Sequence, residues 1–170
     1  MDERFVRLFR RQQAAGFQDL RDADLTLTLP ISEALLNELL AEAMPQTAPL
    51  REVRVTPQAG DRFLVRARLG SSSLLLPVKL TLAIDRQPDF PDSPVLVLRL
   101  EATGLLSLAG PALRFLNALP PGIRVEQDRL LVDLRALLEA RGLSSYLDFV
   151  RELRVNAVDG RAVVSMRAAV

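Results

Sequence analysis

Between residues 74 and 84 the chain reads LLLPVKLTLAI. Leu76, Val78, Leu80, Leu82 and Ile84 alternate there with Pro77, Lys79, Thr81 and Ala83. That two-residue period belongs to a β-strand with one apolar face. VLVLRLEA at 95–102 and LTLTL at 25–29 repeat it. At about 3.3 Å per residue the longest strand spans roughly 30 Å, which suits a large curved sheet better than a small compact barrel. Such leucine faces either close on one another as a packed core or surround an apolar space that holds something else.

Composition narrows the chemistry. The 170 residues suffice for one domain. They are 49% hydrophobic but only 5% aromatic, so the apolar faces are smooth and aliphatic. Cys, His and Trp are absent, which excludes disulfides, thiol chemistry, histidine metal sites and every imidazole triad. The net charge of +1 points to no partner class, and Lys79 is the only lysine among many arginines. No stretch approaches the roughly 20 apolar residues of a membrane span. The opening MDERFVRLFRRQQ lacks a signal-peptide core. The expected location is cytoplasmic, or peripheral to the inner membrane, if Met1 is the native start, and the envelope if the chain has been trimmed.

Residues 1–22 read as a separate basic amphipathic helix. Phe5, Leu8 and Phe9 share one side, and Arg4, Arg7, Arg10 and Arg11 fill most of the rest. Such a helix either docks on an anionic membrane or packs on its own domain with solvated arginines. Residues 23–170 read as a single domain. A strand at 23–29 is expected to stop at Pro30. A helix follows, with Ser32 as N-cap, a stripe of Leu35, Leu36, Leu39 and Leu40, and Asn37, Glu38 and Glu42 facing away. REVRV and RFLVRARL form a hairpin around PQAGD, with Phe63, Val65 and Ala67 inward and Arg62, Arg66 and Arg68 outward. Strands 75–85 and 95–102 come next, then a short helix near 111–118. The tail reads as a hairpin, IRVEQ to LLVDL, two short helices, and a hairpin turning on Asp159-Gly160.

No glycine pattern of a phosphate cradle is present. Glu38 and Glu42 read as a solvated face, Asp133 as a helix cap and Asp128 as a turn residue. Ser71 to Ser73 have no recognisable base. No enzyme, catalytic residue, cofactor or metal is nominated. Arg54, Arg62, Arg66 and Arg68 could form a basic strip, but with only Phe63 close by and a nearly neutral chain, nucleic acid is not expected. The uncharged stretch 102–113 reads as an apolar rim.

The order of elements resembles the tubular lipid-binding (TULIP) superfamily over roughly residues 23–170. DLTLTLPISEALLNELL, LPPGIRVEQDRLLVDLRALLEARGL and LRVNAVDGRAVVSM are similar to segments of its bacterial LmeA-type phospholipid-binding members. The resemblance implies an α+β fold: a strongly curved antiparallel β-sheet wrapped around one or two helices, with acyl chains held in an apolar tunnel for carriage or sequestration. The lining would come from Leu25, Leu27, Leu29, Leu36, Leu40, Phe63, Val65, Leu76, Val78, Leu80, Leu82, Leu96, Leu98, Leu100, Leu113, Phe115 and Leu116. The implied partners are a lipid or fatty acyl ligand, a peripheral anionic membrane and a second copy of the chain. The rival expectation is a protein-interaction or assembly module with a plain packed core, burying strand edges and residues 102–118 against a partner or a second copy.

Overall fold

The structure, a computed structural model, describes residue 11 and residues 23–43, 50–71, 74–101, 119, 121–140 and 142–169. Its strands are β1 (Asp24–Ser32), β2 (Leu50–Gln58), β3 (Arg62–Ser71), β4 (Leu74–Arg86), β5 (Val95–Leu100), β6 (Ile123–Glu126), β7 (Arg129–Asp133), β8 (Val150–Val158) and β9 (Arg161–Ala169). Its helices are α1 (Glu33–Ala43), α2 (Leu134–Glu139) and a 3-10 helix, Ser144–Phe149.

Local chemistry accounts for most of these boundaries. The Ser32 Oγ accepts from the Leu35 N–H at 3.2 Å and opens α1. Asp133 does the same for α2 through Ala136, at 3.0 Å. At Asp159-Gly160 the chain turns from β8 to β9, with Gly160 at φ +71°, a left-handed conformation that glycine adopts without strain.

The strands divide between two antiparallel sheets, one ordered β1-β9-β8 and the other β2-β3-β4-β5-β7-β6. Phe63, Ala67, Leu80, Leu82, Leu96 and Leu98 from the larger sheet meet Ala157 and Ala162 from the smaller in one buried cluster. Ile31, Val53, Val55, Ile84, Val132 and Val155 pack around it. A second cluster joins Phe90, Leu147 and Val150 to Leu134, Leu138, Leu153 and Met166.

This arrangement corrects the expected architecture. The domain is α+β and antiparallel, but no single strongly curved sheet wraps a helix. The apolar face of the larger sheet packs on itself and on Ala157, Ala162, Ile31 and Val155 of the smaller sheet, with no helix in this cluster. α1 instead lies against β2, and α2 is only six residues long. Two local expectations also change. β1 does not stop at Pro30 but continues to Ser32. Asn37 does not face away but is half-buried and bonded to β2.

Candidate assembly edge

A sheet edge exposes backbone N–H and C=O groups that would pair with any other strand. Of the four edges that the described strands form, two are partly closed, chiefly by side chains. On β2, the Asn37 side chain of α1 acts as a substitute strand: the Val55 N–H donates to its Oδ1 at 2.7 Å, and its Nδ2 donates to the Val55 carbonyl at 2.9 Å. The next outward carbonyl, that of Pro57, accepts from the Gly160 N–H at 3.0 Å. On β8, Gln87 clasps Val155 in the same way, at 2.9 and 2.7 Å. Two residues along, the Ala157 N–H donates to the Asp61 Oδ1 at 2.9 Å, and the Asp61 N–H donates to the Ala157 carbonyl at 3.3 Å. The third edge, β6, has only four residues.

β1 is the fourth edge. It is nine residues long, and every residue from Asp24 to Pro30 is exposed. The clasps on β8 reveal which of its backbone groups are free. Val155 and Ala157 turn their polar backbone groups away from β9, so their β9 partners Val164 and Ala162 turn theirs toward β1. Val164 pairs with Leu29 and Ala162 with Ile31. Odd-numbered residues of β1 therefore bond to β9, while Thr26, Thr28 and Pro30 face outward. This explains why β1 runs through Pro30: the N–H that proline lacks would have pointed away from the sheet. Among the described residues no side chain bonds to the outward backbone of Thr26 or Thr28.

The apolar face of β1 is also uncovered. Leu25, Leu27 and Leu29 are 55%, 42% and 47% exposed, and on α1 Leu35 and Leu39 are 44% and 47% exposed. On the polar face Asp24 meets Arg167, whose Nε lies 3.0 Å from both carboxylate oxygens. The hydrogen bond from Arg167, with its positive charge, holds the Asp24 carboxyl below its ordinary value, and the same bond raises the Arg167 guanidinium above its own.

The residues expected to line a tunnel are scattered by this fold. Phe63, Leu80, Leu82, Leu96 and Leu98 are buried in the core, with Val65 and Leu100 packed against it. Leu36 and Leu40 are half-buried on α1, while Leu25, Leu27 and Leu29 are exposed. Leu76 and Val78 belong to β4 by their backbone; their side chains lie outside the described residues, as do Leu113, Phe115 and Leu116. Residues 102–118 lie outside them too, as do Arg4, Phe5, Arg7, Leu8, Phe9 and Arg10, the residues expected to dock on a membrane, and Arg11 is helical and exposed. A surface cleft of about 250 Å³ lies between Gln87–Phe90 and Arg151–Arg154, and none of the expected lining residues borders it. The lipid tunnel is thus overturned: the leucine faces of the larger sheet close on each other and on the smaller sheet.

Asp133 is a helix cap, and the Asp128 carbonyl accepts from the Leu100 N–H in a turn. Glu38 and Glu42 are exposed. Among the described residues no three acidic side chains converge as metal ligands, and no helix is long and apolar enough to cross a membrane. The rival expectation of strand edges buried against a partner or a second copy did not single out β1, although LTLTL reads the same in both directions and is its visible signal. No protein-family model, curated protein or solved structure matches this chain.

Proposed function

We propose that this protein is an assembly module that joins a second copy of itself through β1. The observation that carries this reading is the open β1 edge with its exposed leucines, beside edges that are clasped or short. A long edge strand with free backbone groups is the surface used in β-strand addition, and an exposed apolar patch marks an interaction face.

The palindrome selects a second copy as the partner. With Leu27 on a two-fold axis perpendicular to the sheet, Thr26 of one copy lies opposite Thr28 of the other. Each pair exchanges both backbone hydrogen bonds, because these residues face outward. Leu25 and Leu29 come opposite each other on the same face as Leu27. Such an interface is isologous and self-limiting. Pro30 accepts a bond through its carbonyl and needs no N–H, so it ends the pairing without opposing it.

The test is light scattering of the full chain after size exclusion, across a concentration series. A dimer is expected for the native sequence. Thr28→Pro should give a monomer with unchanged circular dichroism, since only an outward N–H is lost. A native chain that stays monomeric at high concentration, or a Thr28→Pro chain that still dimerises, sinks the proposal.

A further inference from the structure

The larger sheet carries a second unusual surface, on the face turned away from the core. Register places Arg54 of β2 directly opposite Arg66 of β3, and Arg66 opposite Lys79 of β4. All three side chains are exposed. Neighbouring strands lie about 4.8 Å apart, so the three cations form a row spanning roughly 10 Å across the sheet. Like charges placed directly opposite each other in a sheet are destabilising.

Four other arginines of this sheet are treated differently. On the same strands Arg62 pairs with Glu101 at 2.9 Å, and Arg68 with Glu52 at 3.2 Å. Further across, Arg129 pairs with Asp85 at 3.3 Å and Arg124 with Glu126 at 3.1 Å. Arg54, Arg66 and Lys79 have no carboxylate partner among the described residues. Protection of a sheet edge accounts at most for Arg54 on the edge strand β2; Arg66 and Lys79 lie on the interior strands β3 and β4.

We infer that the Arg54–Arg66–Lys79 row is a docking surface for an acidic protein segment, whose carboxylates supply the counter-charge the chain itself withholds. Carboxylate is the group that the neighbouring arginines already hold on these strands. A guanidinium presents a planar fork matched to it, and two of the three cations are arginines. Nucleic acid fits less well. Sheets that bind single strands offer aromatic side chains for bases to stack on, and the described positions in register on this face carry none. An anionic membrane also fits less well, since the leucine next to the row, Leu64, is buried and adds no exposed apolar anchor. The inference is independent of the β1 edge, which belongs to the other sheet.

The experiment is fluorescence anisotropy of a labelled poly-glutamate peptide titrated with the full chain at low and at physiological salt. Parallel titrations use a DNA duplex and phosphatidylserine vesicles. The peptide should bind, more weakly as salt rises. The triple variant R54T/R66T/K79T should bind it about tenfold or more weakly and should melt at a higher temperature, because the repulsion is gone. R151T/R161T, which removes exposed arginines of the smaller sheet, should bind as the native chain does. Absence of peptide binding at low salt overturns the proposal, as does equal binding by the triple variant. A triple variant with a lower melting temperature would make the row structural. Tighter binding of duplex or vesicles than of peptide would assign it to another partner and equally reject the acidic segment.

Discussion

β1 and β4 carry the same alternation of leucine with small or polar residues, yet they meet opposite fates. Leu80 and Leu82 of β4 lie at the centre of the buried cluster, whereas Leu25, Leu27 and Leu29 of β1 face solvent. The edges show the same division. β8 is clasped at Val155 and Ala157 by Gln87 and Asp61, and β2 at Val55 by Asn37, while the outward backbone of Thr26 and Thr28 on β1 has no such partner among the described residues. An apolar periodicity states only that a face needs covering. Whether it is covered depends on how many layers reach it, and here sheet-on-sheet packing reaches β1 at Ile31 but leaves Leu25, Leu27 and Leu29 exposed.

The sharpest way to break this comparison is a pair of truncations. Leu82→Ala should destabilise the fold by about 2–5 kcal/mol in denaturant unfolding. In a chain kept monomeric by Thr28→Pro, Leu27→Ala should change it by about 0.5 kcal/mol or less, as at an ordinary surface position. Equal losses would mean that β1 is covered after all.

Clasped and open edges can be contrasted next. Asn37→Leu strips the Val55 N–H and C=O of both partners, and should lower stability by about 2–3 kcal/mol while making the β2 edge prone to association. A fully stable and monodisperse variant would show that the clasp is incidental. Within β1 itself, at concentrations low enough to keep the chain monomeric, Leu29→Pro removes a bond to β9 and should lose about 1–3 kcal/mol, whereas Thr28→Pro should lose about 0.5 kcal/mol or less. The reverse order would invert the backbone register deduced for the edge.

The smallest effect concerns the ion pair at the start of β1. The folded-state Asp24 carboxyl is held below its ordinary value of 3.8 by Arg167. Its contribution is therefore present above that ordinary value and fades as the pH falls through the lowered folded value. Because the pair is fully exposed, the acid limb of a pH-stability curve should differ only slightly between the native chain and Asp24→Asn, and less still at high salt. A large difference near neutral pH would contradict this.

Most elements were legible because their signals are local. Alternation located β1, β3, β4 and β5; Ser32 and Asp133 announced their helices; Asp159-Gly160 announced the last hairpin. Errors arose where a residue's role depends on a distant partner. Pro30 looked like a strand terminator because its sequence does not say which way its nitrogen points. Asn37 looked solvent-facing because its partner, Val55, lies 18 positions away. The lipid tunnel failed for a related reason: it assigned all the strands to one sheet.

The sequence by itself thus determined the strands, their two faces, the caps and turns, and the absence of imidazole and thiol chemistry, all matters of backbone period and side-chain type. Only the tertiary structure decided that the strands divide into two sheets, that the leucines of the larger sheet close into a core rather than a tunnel, and that, among the described strands, β1 alone is a long and open edge. Those outcomes depend on register and on which layer lies over which. They are settled by contacts between residues far apart in the chain, and no local pattern encodes them.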